Sequence, residues 1–100
     1  MGSVIDVEVL QLTHPGRVLA DELKARKLPA TTLALKMLVP DSRISLILRG
    51  KRAISAETAI RLGLVLGIDP RVWMELQMNY DLAVARRDKG AMIADEVEVV

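Results

Sequence analysis

Apolar residues recur every three or four positions through the middle of the chain, and this spacing predicts helices. Between positions 30 and 49 the pattern is more specific. A helix-turn-helix needs a small residue where its helices cross, an apolar residue inside the turn and apolar residues three apart on the second helix. The residues that meet these needs are Ala34, Val39, Ile44 and Ile47. The segment is therefore predicted to be a helix-turn-helix, although two amphipathic helices joined by a short turn also occur in other small bundles.

The same periodicity divides the two predicted helices into a buried face and an outward face. The residues predicted to be buried are Leu33, Ala34, Met37, Ile44, Ile47 and Leu48. The residues of the second helix predicted to face outward are Ser42, Arg43, Ser45, Leu46 and Arg49. This outward set is the one that could enter a major groove.

Capping residues predict where the first helix begins and ends. Thr13 or His14 is expected to cap a helix that starts at Pro15, because proline is tolerated in the first helical turn. This helix should run to about Lys27, and Pro29 ends it before the helix-turn-helix begins.

Two further helices are predicted after the motif. Ser55 is expected to cap a fourth helix that ends at Gly67. Asp69-Pro70 pairs a capping residue with a first-turn proline and opens a fifth helix, which should reach Lys89 and end at Gly90. A ridge at helical spacing on this fifth helix should face the core or a partner: Trp73, Leu76, Tyr80 and Val84.

Both ends of the chain alternate valine or isoleucine with carboxylates, which predicts extended segments. We expect an N-terminal extended arm over residues 1–14, a helix-turn-helix domain over 15–90 and a C-terminal extended tail over 91–100. Exposed strand edges of this kind should pair with each other, across a dimer or with another protein. The predicted fold class is all-α: a five-helix bundle containing a helix-turn-helix, with short extended or strand-like termini.

Composition indicates an aliphatic core. Hydrophobic residues make up 51% of the 100 residues, yet there is no Phe and a single Trp. The chain has no Cys, which removes disulfides and thiolate metal sites and fits a reducing compartment. No apolar run approaches the roughly 20 residues of a membrane span. We therefore expect a cytoplasmic protein without a membrane partner.

Positive charge is concentrated around the predicted helix-turn-helix, although the net charge of the chain is only +1. Positions 15–55 hold nine basic and three acidic residues, and the flanking segments are acidic. This distribution predicts a basic face toward phosphates and other surfaces available to a protein partner. Ordinary solvated helix charge is the alternative.

Five residues are suited to the phosphate backbone of DNA. Thr31 and Thr32 lie in a first helical turn, where hydroxyls, unpaired N–H groups and the helix dipole favour a phosphate. Arg49, Lys51 and Arg52 stand at the end of the predicted recognition helix, where long cations would contact flanking phosphates.

Three residues could reach base edges from the early and middle part of the recognition helix: Ser42, Arg43 and Ser45. Arg43 could pair with a guanine, and its alternatives are a phosphate contact or an ion pair within the protein. Leu46 fits this face less well, because it can contact only thymine methyl groups unless the face is also used for protein contact.

Enzyme chemistry finds no support in the sequence. The only histidine, His14, precedes a proline at a helix start, where capping is the simpler role. Neither a nucleophile–base pair nor a metal-ligand spacing nor a phosphate-cradling glycine loop is present. We expect no enzyme activity, no cofactor and no metal.

Between His14 and Arg86 several short motifs occur together: His14-Pro15-Gly16, Val39-Pro40, Ser42-Arg43-Ile44, Gly50-Lys51-Arg52-Ala53-Ile54-Ser55, Trp73, Leu76-Gln77 and Tyr80-Asp81-Leu82. In these motifs the chain resembles the HigA family of antitoxins, a branch of the XRE-type helix-turn-helix regulators. The resemblance implies a small all-helical homodimer that neutralises a RelE-like ribonuclease toxin encoded beside it and represses their shared operon.

The chain departs from the family pattern at several DNA-facing positions. The Ser-Gln pair that usually opens the family's second helix is replaced by Pro29-Ala30, the common glycine of the turn by Leu38, and a frequent polar pair by Ser45-Leu46. Two alternatives therefore stay open: a stand-alone helix-turn-helix transcriptional regulator, and a protein-interaction module that has lost DNA affinity.

The expected partners are palindromic operator DNA, bound by a homodimer, and a basic toxin. Dimerisation would place two recognition helices about one DNA turn, roughly 34 Å, apart. The carboxylates that could face a toxin's cations, beside valines able to add a strand, are Asp6, Glu8, Asp95, Glu96 and Glu98. Pairing of the two ends with each other is the alternative.

Overall fold

The computed structural model describes residues 12–100, and this part of the chain is built from helices without a strand. The helices are α1 (Pro15–Arg26), α2 (Ala30–Met37), α3 (Asp41–Leu48), α4 (Ala56–Leu66) and α5 (Pro70–Glu96). The predicted all-α architecture with five helices is confirmed. The greater part of the predicted N-terminal arm, residues 1–11, lies outside the described residues.

Polar side chains cap three of the helices where the sequence predicts. His14 caps α1, since its Nδ1 accepts the Gly16 N–H at 2.8 Å. Ser55 caps α4 by accepting the Thr58 N–H at 3.2 Å. Asp69 caps α5 by accepting the Arg71 N–H at 2.9 Å. Each side chain satisfies an N–H group that a helix start would leave unpaired.

A single aliphatic core joins the helices around one aromatic side chain, Trp73. The buried hydrophobic residues of this core are Leu19, Leu23, Leu33, Ala34, Met37, Ile44, Ile47, Ile54, Ala59, Leu62, Leu66 and Trp73. The buried faces predicted for the helix-turn-helix are confirmed, with Leu48 at the margin of the core. The ridge that begins at Trp73 faces inward, since Trp73 is buried and Leu76 packs against the core.

Helix α3 is held from two sides. It packs against α2, its partner in the motif, and against α1, while α5 supports α1 and α4. Helix α1 approaches the end of α3 so closely that a Cβ at Gly16 would overlap the carbonyl oxygen of Ile47. A residue without a side chain is therefore required at position 16 for α1 to lie against the recognition helix.

Helix α5 continues past the predicted end. It passes through Gly90 to Glu96, so its predicted end at Lys89 and an extended tail from position 91 are wrong as far as Glu96. A glycine ends a helix when its backbone turns left-handed, and the glycines with positive φ in the described part are Gly50 and Gly67. Gly90 instead keeps the helical path, followed by good helix formers such as Ala91 and Met92. With 27 residues, α5 is about 40 Å long.

Candidate nucleic-acid interface

The turn between α2 and α3 has the geometry of a helix-turn-helix. Leu38 follows the end of α2 in a left-handed conformation at φ 58°. The Val39 N–H then donates to the Ala34 carbonyl at 3.1 Å, which closes the turn. Val39 is half-buried inside the turn and Ala34 is fully buried at the helix crossing, as the spacing predicts.

The predicted base-contacting residues separate into two groups. Ser42 and Ser45 are exposed on α3, and Leu46 beside them is half-buried. Arg43 turns toward α4, where its Nη1 lies 3.7 Å from the Glu57 carboxylate and 26% of its side chain stays exposed. Of the alternatives open for Arg43, the ion pair within the protein is the arrangement in the structure.

The Arg43 pair belongs to a network that ties both helices of the motif to α4. Glu57 also accepts a hydrogen bond from Arg61 Nε at 3.2 Å, and Arg61 Nη1 donates to the Met37 carbonyl at 2.9 Å. The Nε of Arg43 is buried and has no hydrogen-bond partner among residues 12–100. The sequence does not predict this pair, because Arg43 and Glu57 lie on different helices and no local pattern joins them.

The start of α2 carries the two threonines predicted to contact phosphate. Thr31 is exposed and Thr32 is half-buried in the first turn of α2. Pro29 precedes this turn without a side-chain cap. The N–H groups of the first turn therefore lack the side-chain partner that caps α1, α4 and α5, which is the arrangement that suits a phosphate.

A short cationic loop follows α3. Gly50 has a φ of 72°, and the Gly50 and Lys51 N–H groups donate to the carbonyls of Ile47 and Leu46 at 3.0 and 2.8 Å. These two bonds form a Schellman motif, in which glycine avoids the steric penalty of a left-handed backbone. Arg49, Lys51 and Arg52 are exposed around it, and none of them forms an ion pair with the described residues. Their charges are available to phosphates.

Two polar residues of α5 support this loop, and sequence reasoning missed their role. The Oε1 of Gln77 accepts the Ile54 N–H at 2.8 Å, and the Gln77 Nε2 donates to Asp81 Oδ1 at 2.8 Å. Gln77 is buried, four residues after Trp73 on the inward side of α5. A polar residue within a buried helical stripe was the available signal, since a buried amide requires hydrogen-bond partners.

His14 lies beside the same loop. Its ring meets the ring of Tyr80 edge-on, with centroids 5.0 Å apart. Burial lowers the pKa of His14, while the charge of Asp81 and a hydrogen bond with the backbone of Arg52 oppose that effect. The neutral ring is thus the form that caps α1.

Two further kinds of feature, a metal site and a membrane span, are absent from the described part of the chain. Within residues 12–100 there is no cluster of His, Cys, Asp or Glu able to hold a metal ion. None of the helices in that range is both long and apolar enough to cross a membrane.

Comparison with known proteins places this fold in a family. Residues 19–73 match the family model described as helix-turn-helix. The virulence-associated protein I of Dichelobacter nodosus is 44% identical over 80 residues, which cover 79% of this chain and 74% of that protein.

Solved structures agree with that placement. An addiction module antidote protein of the HigA family from Coxiella burnetii superposes with a TM-score of 0.85 at 39% identity, over 89% of this chain and 98% of that one. The Pseudomonas aeruginosa antitoxin HigA, solved with the higBA promoter, gives a TM-score of 0.86 at 37% identity, over the same shares of the two chains. The chain therefore belongs to the helix-turn-helix family and, within it, to the HigA family of antitoxins.

Proposed function

We propose that this protein binds operator DNA through α3, represses its own operon as an antitoxin and neutralises a ribonuclease toxin encoded beside it. The observation that carries the DNA-binding part is the juxtaposition of exposed Ser42 and Ser45 with the cationic loop that ends α3. The related HigA of Pseudomonas aeruginosa, whose structure includes promoter DNA, supports the proposal. Such activity belongs in the cytoplasm, where the operator is.

Different residues serve different parts of DNA recognition in this proposal. Arg49, Lys51 and Arg52 contact phosphates and supply affinity that falls with salt. Thr31 and Thr32 fix the register of α2 on the backbone. The residues assigned to base edges are Ser42, Arg43 and Ser45.

Arg43 has a competing partner in this assignment. To reach a base edge it must leave the Glu57 carboxylate, which lies 3.7 Å from its Nη1. Its buried Nε, without a partner in the described region, favours a second arrangement of the side chain in which that donor is satisfied.

A homodimer is part of the proposal, and one face of α5 supports it. The apolar residues exposed on this face are Met74, Met78, Leu82, Ala85, Met92 and Ile93. At 100° per residue they occupy an arc of about 100° that is turned away from the buried side of the helix. A groove of 340 Å³ continues the face, lined by Leu82, Ala85, Arg86, Gly90, Ile93 and Ala94. We assign the face to a second copy of the chain, since an uncovered apolar stripe of this length is unusual on a monomer.

The toxin-binding surface is proposed at the acidic ends of the chain. Asp95 and Glu96 stand exposed in the last turn of α5, and Glu98 follows among exposed valines. The arm carboxylates, Asp6 and Glu8, lie outside the described residues. A basic toxin would be attracted to these charges.

One observation favours the alternative of a protein-interaction module. Leu35 on α2 and Leu38 directly after it are 75% and 81% exposed, and exposed apolar side chains suit contact with a protein. A stand-alone regulator would share all of the DNA-binding features and differ only in having no toxin.

Fluorescence anisotropy with a duplex from the chain's own promoter tests the DNA-binding part. Changing Lys51→Ala and Arg52→Ala together should weaken operator and unrelated DNA alike and lower the salt slope by about 0.9 for each lost phosphate contact. The matched control removes two cations from α5, Arg71→Ala with Arg87→Ala, each of which already pairs with a neighbouring carboxylate. Equal effects of the two double variants would reject the assignment of the loop to phosphate contact.

Co-expression with the adjacent gene product tests the antitoxin part. Pull-down should succeed with the intact chain and weaken when residues 95–100 or 1–11 are removed. Binding that survives both truncations would place the toxin on the helical surface, and no binding by the intact chain would leave the stand-alone regulator.

A further inference from the structure

The loop that carries Lys51 and Arg52 is held in place by contacts from α5 and from the start of α1. The Ile54 N–H donates to Gln77 Oε1 at 2.8 Å across 23 positions of sequence. Ile54 is 1% exposed and Gln77 is 5% exposed, so water does not replace this bond. Loss of the acceptor would leave a buried N–H unpaired, which is unfavourable in a protein interior.

The carboxamide of Gln77 is itself held in one orientation. Its Nε2 donates to Asp81 Oδ1 at 2.8 Å, one helical turn further along α5. Because the amide nitrogen is committed to Asp81, the amide oxygen faces the Ile54 N–H. Gln77 therefore has a defined donor and a defined acceptor, and an apolar residue of similar size could fill its space without making either bond.

A second contact meets the loop from the start of α1. A Cβ at Gly50 would lie 3.7 Å from Cγ of the His14 ring, so the loop backbone rests on that ring. The ring in turn packs edge-on against Tyr80, which neighbours Asp81 on α5. The loop is thus fixed near its beginning by His14 and at its end by Gln77.

We propose that Gln77, oriented by Asp81, is a positioning residue for DNA binding: it fixes the loop backbone so that Lys51 and Arg52 meet the phosphates beside the recognition helix. Gln77 contacts no DNA itself and acts through Ile54. The inference rests on the proposed DNA-binding function and deepens it, because it makes phosphate affinity depend on helix α5.

A double-mutant cycle on operator binding tests the proposal. Gln77→Met retains the length of the side chain and removes both hydrogen bonds. It should weaken binding to operator and unrelated duplexes about tenfold at low salt and reduce the salt slope, as loss of phosphate contacts does. In the Lys51→Ala, Arg52→Ala background, Gln77→Met should change affinity less than twofold, because the cations it positions are gone. Asn79→Ala, which removes an exposed carboxamide from the same helix, is the control and should bind as the wild type does.

A double variant that exchanges the amide and the carboxylate of Gln77 and Asp81 should restore DNA binding. In Gln77→Glu with Asp81→Asn, Glu accepts the Ile54 N–H and Asn becomes the donor between the two side chains, with no change in net charge. This double variant should bind within about threefold of the wild type at matched salt. It also keeps the test decisive if Gln77→Met fails to fold, since loss of affinity in a folded swapped variant would overturn the proposal.

The outcomes separate the two hypotheses. If the wild-type chain binds no duplex, the proposed function fails. If the wild type binds and Gln77→Met weakens binding equally in both backgrounds, the function stands and the positioning role is overturned. Amide exchange of Ile54 should be faster in folded Gln77→Met than in Asn79→Ala, and equal rates would also overturn the role.

Discussion

Single residues in this protein adopt conformations that their side chains do not favour. Lys27 and Leu38 follow the ends of α1 and α2 with φ of 54° and 58°. These are left-handed positions at which glycine avoids a steric penalty. At Leu38 the side chain is also 81% exposed, so packing does not compensate for the strained backbone.

Leu38→Gly should therefore stabilise the protein. Relief of the left-handed strain is offset in part by the greater freedom of glycine in the unfolded chain, and a net gain of up to about 1 kcal/mol is expected. Leu35→Gly is the matched control, because Leu35 is exposed on the same helix but within its regular part, where glycine costs about 1 kcal/mol. Urea unfolding measures both free energies, and a loss of stability in Leu38→Gly would contradict the prediction.

His14 should make stability depend on pH. Burial lowers its pKa below the ordinary value of 6.5, so the folded protein binds a proton less readily than the unfolded chain does. This contribution is complete above pH 6.5 and is lost as pH falls from 6.5 through the folded pKa. Protonation of Nδ1 also removes the acceptor that caps α1.

Urea midpoints at pH 7.5 and pH 5.5 check this expectation. The wild type should lose stability over that interval more steeply than His14→Asn, which retains a capping residue without a titrating ring. His14 is the only histidine of the chain, which makes the comparison direct. Identical pH profiles would show that His14 does not carry the dependence.

At the scale of the elements, charged side chains link α4 to both helices of the helix-turn-helix. Glu57 at the start of α4 faces Arg43 from α3 and Arg61 from its own helix, and Arg61 reaches the end of α2. The Glu57 side chain is 64% exposed, so its pairs contribute less than about 1 kcal/mol to stability. Its main effect is on where Arg43 can point.

Glu57→Gln should raise DNA affinity without unfolding the protein. The change removes a negative charge near the recognition helix and frees Arg43, so affinity for unrelated duplexes should increase about three- to tenfold. Anisotropy titrations at two salt concentrations measure the effect, with Glu75→Gln on α5 as a charge-matched control. An unchanged affinity would mean that the ion pair does not compete with DNA.

Sequence predicts the helix starts better than their ends and partners. His14, Ser55 and Asp69 cap helices through bonds to residues two or three positions away, so their roles are visible locally. The end of α5 could not be predicted from Gly90 alone, because the helix-forming residues that follow it carry the helix on to Glu96. Gln77 lies one helical turn after Trp73, but only the fold reveals its bond to Ile54.

At the scale of the whole molecule, the site residues also divide into those that local sequence predicts and those that depend on distant contacts. The turn and exposed face of α3 could be predicted because helical periodicity fixes which side chains point outward. The pairing of Arg43 with Glu57 could not be predicted. A long cationic side chain at one position on a helix can reach either DNA or a carboxylate on a neighbouring helix. The assembly of two chains is likewise a property that no local pattern determines.

Ala85→Glu should disrupt the proposed homodimer. It introduces a charge into the apolar face of α5, and burial of an unpaired charge at an interface is strongly unfavourable. Ala91→Glu makes the same change on the same helix, six residues on and about 120° away around its axis. Sedimentation at tens of micromolar should give a dimer for the wild type and Ala91→Glu and a monomer for Ala85→Glu. A monomeric wild type would contradict the assignment of this face.

Helix α5 presents Gln77 inward, against the loop of the recognition helix, and the adjacent Met78 outward, on the face assigned to the second copy. In the proposed homodimer, one helix would therefore provide both intramolecular support and the contact between the two copies. At low expression, operator occupancy should then rise with about the square of the chain's concentration rather than in proportion to it. A modest fall in the amount of protein would then release the operon more than proportionally, so repression would respond more steeply to protein concentration than a monomeric repressor allows.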